Sequence, residues 1–170
     1  MPEGAPFALL PIERGDVTSG FDCGAAELNR YLAAFAFQNH QAHSTFTCVA
    51  AAPDGSIAGY YSITCTAIPH DEAAERLRKG LARHPIGMLL LARLAVDLRF
   101  RGRGVGAQLL RHAFLLTVQT AGQVGCRGLL VDAKDDSAAA FYRHHGLTPL
   151  PGNSHRLFVL TKDIARLIAA

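Results

Sequence analysis

The sequence lacks tryptophan, and it contains only two methionines and four cysteines among its 170 residues. The cysteines stand far apart, with no CxxC pair and no histidine at a zinc-ligand spacing. This spacing argues against a structural zinc site, and we expect no metal. Charged residues make up 18% of the chain, and the formal net charge of +3 is too small to identify a partner.

Long apolar runs are also missing. No segment approaches the roughly 18 uncharged apolar residues of a membrane-spanning helix. The first residues, Met-Pro-Glu-Gly, lack the basic start and apolar run of a secretory signal. A chain of this length can bury one sizeable core, and it shows no repeats or linkers. We therefore expect a single reduced, cytoplasmic domain over residues 1–170.

Hydrophobic periodicity alternates between strand and helix patterns along the chain. Strand patterns cover residues 7–11, 45–52, 56–66, 87–96, 128–131 and 156–161. Helix patterns cover residues 25–40, 72–83, 137–145 and 162–170, and a long stretch that follows residue 106 and ends at about residue 122. Pro53-Asp54-Gly55 separates two strand patterns and predicts a hairpin turn. The chain therefore reads as an α/β domain, with hairpins first and strand–helix units behind.

The apolar strand pattern of residues 87–96 leads into a glycine-rich loop, Arg101-Gly-Arg-Gly-Val-Gly106. Backbone N–H groups of such a loop can point at one anion, and the following helix adds its N-terminal donors and partial positive charge. The loop therefore predicts a diphosphate cradle. A Walker loop is excluded because Ala107 and Gln108 follow Gly106. A dinucleotide-binding fingerprint is disfavoured because the loop lies mid-chain.

Two blocks resemble a known family. Arg101-x-x-Gly104-x-Gly106 resembles the acetyl-CoA loop of the GNAT N-acetyltransferases, and Asp135-Asp-Ser-Ala138-Ala-Ala-Phe141-Tyr142-Arg-His-His-Gly146-Leu147 resembles the family's Asn-x-x-Ala-x-x-Phe-Tyr-x-x-x-Gly-Phe helix. Asp135 stands where the family often has Asn, and Leu147 where it often has Phe. The carboxylate would disfavour an anionic cofactor unless it caps the helix. The resemblance implies a single GNAT domain, with a mixed sheet of about six to seven strands flanked by helices.

The same resemblance implies an acetyltransferase that uses acetyl-CoA as co-substrate. It assigns cofactor binding to Leu94, Ala95, Val96, Arg101, Gly102, Arg103, Gly104, Val105, Gly106, Asp135 and Ala138. Tyr142 would donate a proton to the departing thiolate. Other interpretations stay open: the glycines can serve tight helix–strand packing, and Tyr142 can be a packed core-edge residue. Asp97 is a candidate general base, or else a cap for the loop.

The front half resembles a narrower group, the TacT-like toxins of type II toxin–antitoxin modules. The resemblance lies in Phe21-Asp-Cys-Gly24, Leu28-Asn29-x-Tyr31-Leu32, Ser44-Thr45-Phe46-Thr47, Gly59-Tyr60-Tyr61-Ser62 and Leu91-Ala-Arg-Leu-Ala-Val-Asp97. It implies acetylation of the α-amine of aminoacyl-tRNA, which would block translation. Because that amine is less basic than a lysine amine, it needs little help from a base. Small-molecule amines and protein lysines are the alternative acceptors. A further hypothesis is a non-catalytic module that binds acyl-CoA.

Basic residues cluster in two segments, around residues 76–83 and 93–111. Such clusters are either a solvated face or a surface that contacts RNA phosphates. The candidates for tRNA contact are Arg78, Lys79, Arg83 and Arg93. The toxin resemblance further implies a homodimer and a ribbon-helix-helix antitoxin as partner, in a repressor complex that reaches operator DNA only through that antitoxin. It implies no membrane contact.

Overall fold

The computed structural model describes residues 7–169. The strands are β1 (Ala8–Pro11), β2 (Phe46–Ala51), β3 (Ile57–Ile68), β4 (Ile86–Val96), β5 (Gly128–Asp132), β6 (Thr148–Leu150) and β7 (Asn153–Leu160). The helices are α1 (Ala26–Ala34), α2 (Ala36–Gln41), α3 (Glu75–Arg78), α4 (Val105–Ala121), α5 (Asp136–His144) and α6 (Thr161–Ala169). Residues 1–6 of the predicted domain and Ala170 of the predicted tail helix lie outside the described residues. Among residues 7–169, no helix is long and apolar enough to cross a membrane.

The strands form one mixed sheet in the order β1-β2-β3-β4-β5-β7-β6. Strand β2 pairs antiparallel with β1 and with β3, and β7 pairs antiparallel with β5 and with β6. Strands β4 and β5 pair in parallel, with Leu89, Leu90 and Leu91 opposite Leu129, Leu130 and Val131. The prediction of a mixed sheet of six to seven strands flanked by helices is thus confirmed.

The chain divides into two compact units, and strands β3 and β4 each have residues in both units. The first unit comprises Met1–Thr64 and Ala92–Ala113. Its core includes Tyr31 and Leu32 from α1, together with Tyr60 from β3 and Ala95 from β4. The helix predicted over residues 25–40 is in fact two helices, because the backbone leaves helical geometry at Phe35 (φ −126°, ψ −29°).

The second unit comprises Cys65–Leu91 and Phe114–Ala170. Its core gathers Leu77, Met88, Leu130 and Phe158, which come from α3, β4, β5 and β7. A glycine at the start of β5, Gly128, is required by space, because a Cβ there would collide with the carbonyl oxygen of Val159. The strand pair can therefore approach closely at this point.

The helix predicted over residues 72–83 is wrong except for one turn, α3. Residues Ala73 and Ala74 before it are extended, and Gly80 after it has a φ of +77°. The backbone carbonyls left without helical partners are bonded elsewhere: Arg127 donates to the carbonyl oxygen of Leu77 at 3.0 Å and to that of Lys79 at 3.3 Å. The guanidinium of Arg127, distant in sequence, thus supplies hydrogen bonds that a longer helix would have supplied from its own backbone. The sequence also missed β6, a three-residue strand among turns.

Candidate active site

A buried carboxylate, that of Asp97, directly follows the carboxyl end of β4. Asp97 is 1% exposed and caps a 3-10 turn, Leu98–Phe100. Its Oδ2 accepts from the backbone N–H of Asp22 at 3.0 Å and from Nη2 of Arg99 at 3.2 Å. Its Oδ1 accepts from the backbone N–H and from Nε of Arg99, at 2.9 and 3.0 Å. These are the contacts of a cap, the second of the two roles left open for Asp97.

The protonation of Asp97 fits the same role. Burial by itself would raise the pKa of its carboxyl, but the hydrogen bonds from Arg99 and from the backbone N–H of Asp22 outweigh it, so the pKa lies below the usual aspartate value. A general base works best with a pKa near the operating pH. Asp97 is therefore poorly suited to accept a proton at neutral pH.

The glycine-rich loop needs glycine for its conformation. Gly102 and Gly104 both have a φ of +77°, in the left-handed region that other residues avoid. A Cβ at either position would meet no atom within 4 Å, so tight helix–strand packing does not explain these two glycines. That packing instead requires Gly59 of β3, where a Cβ would lie 2.8 Å from the carbonyl oxygen of Ala95 and 2.9 Å from Leu109. The loop thus presents exposed backbone ahead of α4, as an anion cradle does.

The arginines near the loop have partners within the protein. Arg101 donates from Nη2 to the carbonyl oxygen of Cys23 at 2.8 Å. The guanidinium of Arg93 lies over the ring of Tyr31, 3.6 Å from its centroid. The exposed guanidinium of Arg103 lies 5.4 Å from the ring centroid of Phe100. Charge in this region therefore serves the loop's own structure as well as any ligand.

The predicted second block forms α5, within one residue of its expected bounds. Asp135 is the N-cap, and its Oδ1 accepts from the backbone N–H of Ala138 at 2.8 Å. This is the geometry in which its carboxylate is favourable. At the other end Gly146 has a φ of +101°, and Leu147 donates its N–H to the carbonyl oxygen of Tyr142 at 3.1 Å. A left-handed cap thus ends the helix as predicted.

Tyr142 lies on the inner face of α5 and is 6% exposed. The ring of Phe141 meets its ring edge to face, with centroids 5.2 Å apart. Burial raises the pKa of the Tyr142 phenol, so the hydroxyl keeps its proton throughout the neutral range. The protonated form is the one that can act as an acid.

The predicted tRNA-contacting residues are divided between the units. Arg93 belongs to the first unit, and the other three belong to the second. There Arg78 and Arg83 line a cavity of about 600 Å³ together with His70, Asp71 and His84. Two guanidinium groups outnumber one carboxylate, so the cavity favours an anionic group.

The structure adds three residues that composition and periodicity did not single out for function. Asp22, Cys23 and Asn29 form a hydrogen-bonded turn against the end of β4 and the start of the loop. The sequence signal for it was present: aspartate two residues before glycine is typical of a side-chain-capped turn. In the part of the chain that the structure describes, no group of three potential metal ligands comes together.

Residues 43–148 match the model of the acetyltransferase (GNAT) domain. The chain belongs to the GNAT acetyltransferase family. A relative from Mycobacterium tuberculosis (strain ATCC 25618 / H37Rv), named tRNA-acetylating toxin, is 38% identical over 153 residues, which are 90% of each chain.

Two solved structures share the fold of this acetyltransferase over nearly its full length. AtaT complexed with acetyl-methionyl-tRNAfMet has a TM-score of 0.87 and 28% identity, covering 95% of this chain and 98% of that chain. A tyrosine-to-phenylalanine mutant of the AtaT toxin, bound to the C-terminus of the antitoxin AtaR and acetyl-CoA, has a TM-score of 0.81 and 27% identity, covering 96% and 99%. Both the family resemblance and its toxin branch are thus confirmed.

Proposed function

We propose that this acetyltransferase uses acetyl-CoA to acetylate the α-amine of aminoacyl-tRNA and blocks translation as a toxin. The observation that carries the proposal is the loop of residues 101–106, in a chain similar to a tRNA-acetylating toxin over 90% of its length. Two exposed, left-handed glycines precede α4, and their backbone N–H groups would be offered to a ligand there. That arrangement suits a diphosphate, a doubly charged part of coenzyme A.

The cofactor-binding set is proposed as the sequence predicted it. Residues 94–96 continue β4 beyond Leu91, the last residue that pairs with β5, and would offer backbone groups to the pantetheine amides. Residues 101–106 would hold the pyrophosphate. Asp135 and Ala138 begin α5, where the cap removes the objection to a carboxylate beside an anion. When bound, acetyl-CoA supplies an acetyl group activated as a thioester.

Tyr142 is the proposed catalytic acid. Its buried phenol retains its proton at neutral pH, and it would give that proton to the sulfur as the acetyl group transfers. The acceptor must arrive as a neutral amine. Since Asp97 is bonded to Arg99 and Asp22, we assign no base, and an ester-linked aminoacyl amine with low basicity fits such a site.

For tRNA we propose phosphate contacts by Arg78, Lys79 and Arg83. Arg93 remains a candidate, since a guanidinium that lies over an aromatic ring can still donate its in-plane N–H groups to a phosphate. We further propose action in the cytoplasm, where charged tRNA is found, as a homodimer. A ribbon-helix-helix antitoxin would inhibit the enzyme and carry it to operator DNA.

The test is mass spectrometry of total aminoacyl-tRNA after incubation with the protein and acetyl-CoA. We expect N-acetyl-aminoacyl-adenosine from the native chain, and a loss of at least about 100-fold in rate for Tyr142→Phe. Phe141→Leu on the same helix is the matched control and should retain most activity. Acetylation of lysine peptides or small amines, with tRNA unmodified, would replace the proposal by the alternative acceptors. Cofactor binding without turnover on any amine would point to a non-catalytic module.

A further inference from the structure

The turn at residues 22–24 (the Asp22 turn) is joined to the loop region by three hydrogen bonds. The backbone N–H of Asp22 donates to Oδ2 of Asp97 at 3.0 Å, and the N–H of Leu98 donates to the carbonyl oxygen of Asp22 at 2.9 Å. Arg101 donates to the carbonyl oxygen of Cys23 at 2.8 Å. The segment that begins the diphosphate loop is thus held at three points by backbone more than 70 residues away in sequence.

The side chain of Asn29 makes two hydrogen bonds to the Asp22 turn. Oδ1 of Asn29 accepts from the N–H of Cys23 at 2.8 Å, and Nδ2 of Asn29 donates to Oδ1 of Asp22 at 3.0 Å. The same Asp22 oxygen accepts from the N–H of Gly24 at 2.9 Å. Gly24 has a φ of +86°, which glycine adopts freely, so the turn forms without backbone strain.

Asn29 is suited to this task because its own position is fixed. It lies one turn into α1, whose Tyr31 and Leu32 are buried in the core of the first unit. An amide is also the side chain that can accept from Cys23 and donate to Asp22 at once. Aspartate could only accept, and leucine could do neither.

We propose that Asn29 is a positioning residue for acetyl-CoA: through the Asp22 turn it holds Leu98 and Arg101, and so preorganises the diphosphate loop before the ligand arrives. Preorganisation raises affinity because the loop loses less conformational freedom on binding. This inference rests on the proposed function, since it takes the loop as the acetyl-CoA site. It assigns a role to the Phe21-Asp-Cys-Gly24 motif, which the chemistry of transfer does not use.

The experiment compares Asn29→Leu with native protein by calorimetric titration with acetyl-CoA. We expect the Kd to rise about tenfold. In steady state the KM for acetyl-CoA should rise similarly, while kcat and the KM for charged tRNA stay within about twofold. Asn29→Asp keeps the acceptor for Cys23 but sets a carboxylate against Oδ1 of Asp22, so its Kd should rise at least as much as that of Asn29→Leu. A merely structural role would not produce this cofactor-only effect.

Asn39→Leu is the matched control. Asn39 lies on α2 in the same unit, and its Nδ2 donates to the Tyr31 hydroxyl at 3.4 Å, a contact with neither the Asp22 turn nor residues 97–106. It should leave the Kd for acetyl-CoA unchanged. Hydrogen exchange gives a readout independent of activity: the Leu98 amide should exchange faster in Asn29→Leu and at the native rate in Asn39→Leu.

Three results would overturn the inference. A folded Asn29→Leu with native affinity for acetyl-CoA and native Leu98 exchange refutes it and leaves the proposed function intact. An equal loss in Asn39→Leu refutes it as well, because the effect would then be general destabilisation. Native protein that binds no acetyl-CoA refutes the inference and the proposed function together. If Asn29→Leu does not fold, Asn29→Asp decides by the same measurements.

Discussion

Residues 97–104 and residues 75–84 are both short, irregular and rich in arginine, yet the fold uses their arginines differently. In residues 97–104 (the strand-end segment), Arg99 bonds Asp97 and Arg101 bonds the carbonyl oxygen of Cys23. In residues 75–84 (the basic segment), Arg78 and Arg83 line a cavity, and an arginine from outside the segment, Arg127, bonds its carbonyls. Arg99 and Arg101 thus support the strand-end segment, whereas Arg78 and Arg83 of the basic segment face a space and its Arg76 pairs with Asp163 at 2.7 Å.

The contrast shows that local charge does not reveal what a cation does. For the strand-end segment, the proposed anion binding would come mainly from backbone N–H groups beside the left-handed glycines, while Arg99 and Arg101 bond groups of the protein itself. For the basic segment, the side chains themselves are the available donors. Substitutions should therefore cost stability and cofactor affinity in the first segment, and tRNA affinity in the second.

The largest effect is expected at Asp97. Asp97→Ala removes a buried acceptor of two backbone N–H groups and of the Arg99 guanidinium, so the free energy of unfolding should fall by about 2–3 kcal/mol. Urea denaturation measures it. Asp54→Ala, which removes an exposed carboxylate from the hairpin turn, should cost less than about 1 kcal/mol. Equal losses in both variants would mean that Asp97 contributes no more than an ordinary turn residue.

Acidification should reproduce this loss in the native protein. Because the folded-state pKa of Asp97 lies below the ordinary aspartate value, its stabilisation is complete above about pH 4, the pKa in the unfolded chain. It disappears as the pH falls through the lower folded-state pKa. The stability difference between native protein and Asp97→Asn should therefore be constant near neutrality and shrink below about pH 4. A difference that instead changes near pH 7 would give Asp97 the elevated pKa of a base.

An intermediate effect is expected in the basic segment. In the double variant Arg78→Ala with Arg83→Ala, the KM for charged tRNA should rise about tenfold at low salt, and the salt slope of binding should become shallower by roughly two. The free energy of unfolding should change by less than about 0.5 kcal/mol, since no core contact is lost. Filter binding across a salt series, with denaturation alongside, measures both quantities.

Arg166→Ala is the control for this double variant. Arg166 is exposed on α6 in the same unit, 3.8 Å from Asp163, and a surface pair of this kind contributes little. If it weakens tRNA binding as much as the double variant does, the effect is one of total charge and the cavity has no special role. An unchanged KM for acetyl-CoA in both variants would show that the loss concerns the acceptor alone.

What the sequence predicted well is local chemistry. Because glycine adopts left-handed backbone freely, a glycine between periodic segments predicts a turn. This correctly located the loop glycines, Gly146 after α5 and Gly55 in the hairpin, where φ is +87°. An aspartate before a helix predicts a cap, and Asp135 is one. Apolar periodicity located β4 and α4 because both bury whole faces.

What the sequence could not predict depends on contacts between distant residues. The basic segment reads as a helix, but Arg127, 50 residues beyond Leu77, bonds the carbonyls of a turn instead. Arg101 donates to the carbonyl oxygen of Cys23, which lies 78 residues away, so no local sequence pattern indicates this hydrogen bond. The same applies to Arg93, which the sequence predicted to contact tRNA and whose guanidinium lies over the ring of Tyr31. A sequence shows which residues are charged, but it does not show which groups those residues contact in the fold.

The smallest effect is expected at Arg103, and it sharpens the contrast most. Arg103 is exposed, lies over the Phe100 ring and takes no part in the hydrogen bonds that Arg99 and Arg101 make to the rest of the fold, so Arg103→Ala should change the free energy of unfolding by less than about 0.5 kcal/mol. Its loss should raise the Kd for acetyl-CoA only about threefold, since backbone N–H groups would remain as the main diphosphate ligands. Calorimetric titration of Arg103→Ala and Arg103→Lys measures this, with lysine restoring most of the affinity. A loss of a hundredfold or more in Arg103→Ala would make this side chain the principal ligand, and the two segments would then bind anions in the same way.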